Sequence, residues 1–301
     1  MKRHSIFLAA AAHLCGVAVV TAQLQVTRDV LLEPFVDSVQ TTGFLQAHGV
    51  TFEINRGFGS TDGEVAWDTK AGGVIEFYRW DDATLSLLFC NEMIGNAKND
   101  IGFNPRQVRW EEALVLSKKV GDFTLQLGGI HQCKHDVDNS DPLDSDDPDI
   151  TAIAKRVVIL SGPYASVLSP TFQLLDQLSV SAYARADWYP ASSEYRFPAN
   201  SQGRSLADAA GNISAGGRIS YLVGTVGQGY ILGWGAWSVP GGSFAESFSF
   251  RGEAGIGLKG KIGTLHPYIA IEHFADDLTR YFPQRSTVIQ AGFRFNSSML
   301  R

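Results

Sequence analysis

Past its N-terminal stretch this chain has no uninterrupted apolar run long enough to cross a bilayer as a helix. Any passage through a membrane must therefore use another form. Cysteine is scarce. Of three cysteines only Cys90 and Cys133 lie beyond that stretch. By the alternation described below they fall on opposite faces of non-neighbouring strands, so no disulfide between them is expected. A basic excess is missing too: 25 Lys and Arg stand against 31 Asp and Glu, a net charge of −6. No basic stripe runs through the sequence, which argues against nucleic acid as a partner. Glycine, by contrast, is plentiful at 31 residues. Most of it sits inside strand-like segments, where it weakens a flat strand but suits a curved sheet or barrel.

Residues 1–22 read as a secretion signal. Lys2 and Arg3 supply the charged start, Ile6 to Val20 the apolar stretch, and Val20-Thr21-Ala22 a small-residue cleavage site before Gln23. His13 interrupts the apolar stretch, which is too short for a spanning anchor. Leu14 ahead of Cys15 does not suit a lipoprotein. Residues 23–43 follow as an expected periplasmic segment, 44–296 as a barrel, and 297–301 as a tail.

In the rest of the chain apolar and polar residues alternate one by one. Phe248, Phe250, Ala254, Ile256 and Leu258 share one parity; Ser249, Arg251, Glu253 and Lys259 share the other. This period of two belongs to strands with one apolar and one wet face. Alternation and turn signals predict twelve strands, at 44–56, 63–80, 83–94, 106–119, 122–134, 153–166, 178–189, 213–224, 228–239, 247–260, 264–275 and 285–296. Short connections (Asp81-Asp82, Val120-Gly121, Gly224 to Gln228, Gly260 to Gly263, and a longer one at Ser169–Gln177) alternate with long polar ones at 57–62, 95–105, 135–152, 190–212, 240–246 and 276–284. That asymmetry is expected of an all-β transmembrane antiparallel barrel in a bacterial outer membrane, with both termini periplasmic. A soluble β-sandwich also alternates, but charge rarely occupies every second position of nearly every strand in one.

The inward set is predicted to include Glu53, Asp68, Lys70, Glu76, Arg109, Glu111, Arg185, Asp187, Arg218, Arg251, Glu253, Glu272 and Arg294. Trp80, Trp110, Trp188, Tyr189 and Trp237 fall near strand ends, where interfacial girdles belong. Mixed lumenal charge admits a narrow channel or binding barrel for small polar solutes. It equally admits a lumen filled with structural ion pairs.

The last strand, Gln290-Ala291-Gly292-Phe293-Arg294-Phe295, is similar to the C-terminal signal by which outer-membrane barrels are recognised for insertion, though here Asn296 to Arg301 follow. Asn99 to Arg106, with Arg109-Trp110-Glu111-Glu112, looks like segments of uncharacterised bacterial outer-membrane proteins. Such a resemblance implies outer-membrane lipid, periplasmic chaperones and the barrel-insertion machinery as partners.

His131-Gln132-Cys133-Lys134-His135 is the sharpest chemical cluster. It resembles the histidine-glutamine-serine stretch of outer-membrane phospholipase A, a calcium-dependent twelve-stranded barrel enzyme that acts on bilayer lipid. That likeness implies His131 as base and Cys133 in the nucleophile's place. The next strand offers Lys155 and Arg156 near the family's asparagine. His131, Cys133 and His135 on one face would also suit zinc, or be polar residues of the external rim. The acidic stretch beginning with Asp136, Asp138 and Asp141 is a candidate calcium ligand set.

Overall fold

A computed structural model describes residues 43–60, 65–80, 82–96, 105–136, 157–195, 208–224, 227–239, 248–274 and 286–297. The signal peptide, residues 23–42 and most of the long polar connections lie outside these. In chain order the strands are β1 (Gly43–Ser60), β2 (Val65–Arg79), β3 (Ala83–Asn96), β4 (Pro105–Val120), β5 (Phe123–Asp136), β6 (Val157–Leu168), β7 (Phe172–Leu175), β8 (Leu178–Trp188), β9 (Ala191–Tyr195), β10 (Gly211–Val223), β11 (Gly227–Val239), β12 (Phe248–Lys259), β13 (Gly263–Phe274) and β14 (Ser286–Ser297). All pairings are antiparallel. β14 returns to β1 through the register Thr51↔Asn296 to Ser60↔Val288, and β6 joins β8 over Tyr164 to Leu168. The sheet therefore closes into a twelve-stranded barrel, which removes the open edges a flat sheet would expose. No helix among the described residues is long and apolar enough to cross a membrane; the chain crosses with strands.

β7 and β9 are extensions of barrel strands, and both refine the expected connections. The Ser169–Gln177 segment is not a long turn. β7 pairs with β8 through Phe172↔Val180 and Gln173↔Ser179, leaving only Asp176-Gln177 as the turn. The turn between β4 and β5 also has two residues, and Gly121, at φ +61°, supplies its left-handed residue. β9 continues β8 alongside β6 after a one-residue bulge: Tyr164 pairs with Asp187, yet Ser161 pairs with Ala191. Pro190 occupies the bulge, where no amide hydrogen is needed, and Gly162 faces it. A Cβ at Gly162 would stand 1.9 Å from the Trp188 carbonyl oxygen, so only glycine lets the strands approach there.

The two faces differ in kind. Outward positions are apolar and exposed, as in Ile231, Ile256, Ile269, Ile289 and Phe293. Inward positions are buried and many are polar, as in Glu53, Gln132, Arg185, Arg251, Glu272 and Gln290, beside an apolar cluster of Val115, Ile130, Val158 and Leu160. A soluble fold would reverse this order. A second bulge in β2, between Glu76 and Tyr78, adds one residue, so Glu76 and Arg79 both face inside despite their opposite parity. Tyr189 also differs from expectation. It shares the parity of Arg185 and Asp187 and is buried in the interior, not in a girdle.

Ile269 is 64% exposed at mid-height of β13. In a membrane wall, Ile269→Arg should destabilise the barrel by roughly 2–4 kcal/mol, against about 0–1 kcal/mol for Ile262→Arg at the turn. Equilibrium refolding into lipid vesicles over a urea series measures both. Equal small effects would mean the wall faces water.

Candidate functional site

Inside, antiparallel register converts scattered charges into an alternating row. Arg294 of β14 pairs with Glu53 of β1, Glu53 with Lys70 of β2, Lys70 with Glu92 of β3, and Glu92 with Arg109 of β4. The signs run plus, minus, plus, minus, plus. Arg294 Nε is 2.8 Å from Glu53 Oε2, Lys70 Nζ 3.1 Å from Glu92 Oε1, and Arg109 Nη1 3.3 Å from Glu92 Oε2. Side chains also reach over intervening strands. Arg251 of β12 lies 3.0 Å from Glu53, 2.7 Å from Glu253 and 3.3 Å from Glu272. Lys70 also approaches Asp68 at 3.3 Å and Glu272 at 3.9 Å. Phenols complete the belt: Tyr268 donates to Glu53 at 2.8 Å and Tyr230 to Glu253 at 2.7 Å.

A second interior cluster lies on β4–β10. Arg185 is 2.6 Å from Asp187 and 3.4 Å from Glu111, with its guanidinium 4.1 Å above the Tyr164 ring. Gln132 donates to Glu111 at 2.7 Å, and Asn212 to Asp187 at 3.2 Å. Asn212 is thus an inward, buried residue. Arg218 is half-buried on the inner wall, its Nε 3.1 Å from Ser220 Oγ and its guanidinium 4.4 Å from the Tyr230 ring. Every lumenal residue expected from the sequence faces the interior. Glu92 was missed there although it has the right parity; Arg79 was hidden by the bulge. Several buried polar atoms have no protein hydrogen-bond partner: Asn55 Oδ1, Asp68 Oδ1, Tyr164 OH, Arg185 Nη2, Asn212 Oδ1 and Ser214 Oγ.

The outer wall carries a separate polar row. Glu112 on β4 pairs with His131 on β5, and His131 with Ser161 on β6. His131 Nδ1 and Ser161 Oγ are 2.8 Å apart. This corrects the expected partner: Cys133 is buried and contacts His135 instead. The residue supplied by the next strand is Ser161, not Lys155 or Arg156, which lie outside the described residues. His135 in turn stacks on Trp110 with centroids 4.4 Å apart. The three-ligand zinc arrangement does not form, and among the described residues no group of three His, Cys, Asp or Glu could hold a metal ion. Asp138 and Asp141 lie outside the described residues, as does the Asp136 side chain.

Height makes this row unusual. Lys118 and Asp82, exposed and 3.3 Å apart, mark the short-turn boundary. At ~3.3 Å rise and a ~40° tilt, Glu112 stands roughly 15 Å above them, inside a hydrocarbon band about 25 Å tall. Among the described residues a comparable outward contact joins His273 Nδ1 and Thr287 Oγ1 at 2.8 Å. There the residue across from the histidine is Phe250, stacked on it. Only the β4–β6 row, of these two, adds a carboxylate.

The sequence matches no protein-family model and no curated relative. Among solved structures it is similar to the Salmonella typhi outer membrane phospholipase dimer with bound calcium, at 12% identity and TM-score 0.44, covering 91% of this chain and 98% of that one. It is also similar to the NanC porin, at 9% identity and TM-score 0.43, over 83% of this chain and 99% of the other. The outer membrane phospholipase A from Escherichia coli matches at 12% identity and TM-score 0.42, over 85% and 98%. The likeness goes no further than the barrel architecture that this chain's own strand pairing establishes.

Removing one member of the interior belt strands several buried charges. Arg251→Ala is expected to cost roughly 3–5 kcal/mol, and adding Glu253→Gln with Glu272→Gln should restore part of it. Urea midpoints in detergent micelles read both. A loss below about 1 kcal/mol, the range of exposed pairs, would show that the belt is hydrated and loosely held.

Proposed function

We propose that the chain is a bacterial outer-membrane barrel that binds small polar solutes and passes them slowly through an ion-pair-lined bore. The supporting observation is the alternating belt from Arg294 to Arg109, with Arg251 and Glu272 linked into it. A bare twelve-stranded bore is wider than a filled eight-stranded one, and the belt is what narrows it. The belt side chains are buried as the barrel stands, so a solute enters only by exchanging their ion pairs for its own. It meets carboxylates and cations of both signs, together with polar atoms that the protein leaves unpaired. Such a wall offers exchange of partners without a single deep well, as conduction requires. The reading includes cleavage after Ala22 and delivery by periplasmic chaperones to the barrel-insertion machinery.

Single-channel recording in planar bilayers tests it. The wild type should give small, discrete steps, and Lys70→Gln, which leaves Glu53, Asp68 and Glu92 without their shared cation, should shift reversal potentials toward cation selectivity. Wild-type current indistinguishable from bare bilayer would overturn the proposal.

A second reading has its own observation, the His131–Ser161 contact with Glu112 across from it. In this reading Ser161 Oγ attacks a lipid ester carbonyl, His131 takes the hydroxyl proton and then delivers it to the departing alcohol, and water later frees the acid. Glu112 orients the imidazole. Calcium held by Asp136, Asp138 and Asp141 would belong to the same reading. Fatty-acid release from mixed micelles should fall at least about 100-fold in Ser161→Ala and His131→Ala, survive in Cys133→Ala, and drop on chelation. Equal release by all variants removes this reading.

A further inference from the structure

The outer wall is not evenly convex. A trough of about 970 Å³ crosses β12, β13, β14, β1, β2 and β3, between the ridges Ile256, Ile269, Phe293, Ile54 and Phe58. Its floor is made of small or flat residues, among them Ala254, Pro267, Ala291 and Thr69. The ridge side chains are apolar and exposed, and they stand within the wall that faces hydrocarbon. On the β12 and β13 side the trough begins near mid-height; on β1, β2 and β3 it ends close to the long-loop rim, where Arg56, Trp67 and Met93 line it.

Arg56 is the one cation among the described lining residues. It points outward, is exposed, and pairs in register with Trp67 and Ala291, neither of which can neutralise it. A guanidinium at the rim of an apolar trough is a mismatch for plain hydrocarbon. It is matched by a molecule that is apolar along its length and anionic at one end. The direction agrees: the charged end lies at the external interface and the trough descends from it toward mid-membrane.

We infer that this trough is a binding site for a phosphate-bearing lipid of the external leaflet, its acyl chains between Phe293, Ile54 and Ile256 and its phosphate on Arg56. The site is on the opposite face of the wall from the lumenal belt. Its occupancy is therefore independent of solute passage. A lipid held there is a structural ligand that masks the concave side and fixes the barrel's rotation and tilt against the leaflet, as interfacial anchors do.

The test is retention. The full-length barrel is extracted from its membrane in mild detergent, and bound lipid is read by native mass spectrometry and as organic phosphorus per barrel. The wild type should keep a defined number of phosphate-bearing lipids. Arg56→Glu should lower that number roughly ten-fold, the loss expected for a charge-assisted contact turned to repulsion. Ala291→Trp, which fills the floor and leaves Arg56 in place, should do the same. Arg56→Lys should keep most of the lipid. Heat-modifiable gel mobility confirms that each variant is folded. Retention unchanged in both Arg56→Glu and Ala291→Trp, absence of bound lipid from the wild type, or cross-links showing the trough covered by a second copy would each overturn the assignment.

Discussion

A charge buried inside this barrel has to be answered by an opposite charge, on its own strand or on another. Water cannot solvate a fully enclosed carboxylate, and an unpaired buried ion costs several kcal/mol. Glu53, Lys70, Glu92 and Arg109 meet that demand because the register places them side by side on successive strands. The belt is thus a consequence of strand order, and it also enforces strand order. Any change of neighbour would set like charges across from each other, which cross-strand pairing penalises.

The outside obeys the converse rule, and its exceptions are informative. Apolar side chains there require no partner, so each polar one carries a cost that something must offset. His131 has Ser161, His273 has Thr287, and His135 has Trp110 and Cys133. Glu112 is the most expensive of them, being a carboxylate roughly 15 Å up the lipid wall. At His273 the residue across the strand is a stacked phenylalanine, with no carboxylate opposite. The carboxylate is why the β4–β6 row supports a chemical reading where the β13–β14 pair does not.

The architecture was legible because one period governs the entire chain. Strand number, closure, and the inward placement of Arg185, Arg251, Glu253 and Glu272 all follow from parity and turn spacing. What escaped the sequence were events that break the period. The extra residue in β2 brought Arg79 inside beside Glu76, and the bulge at Pro190 joined β9 to β8. The partner of His131 was illegible for another reason. A sequence shows what lies two residues away along a strand, but not which residue of the next strand stands opposite. The expectation for the strand after β5 turned to Lys155 and Arg156, whereas the register sets Ser161 across from His131. Tyr189 is the opposite case: its parity, shared with Arg185 and Asp187, places the ring inside although an aromatic near a strand end suits a girdle.

The two candidate sites are separated by the thickness of one backbone. β4 sends Glu111 inward to Arg185 and Gln132, and the next residue, Glu112, outward opposite His131. β5 does the same with Gln132 and His131. A slip of β5 by one residue against β4 would turn His131 into the belt and Gln132 onto the lipid wall. Each face therefore holds the other in register: the inner Glu111–Gln132 bond at 2.7 Å and the outer His131–Ser161 contact at 2.8 Å reject the same error. Substitutions on the outer row should accordingly be read with the lumen in view, because a change in His131 that relaxes β5 would reach the ion pairs without touching them.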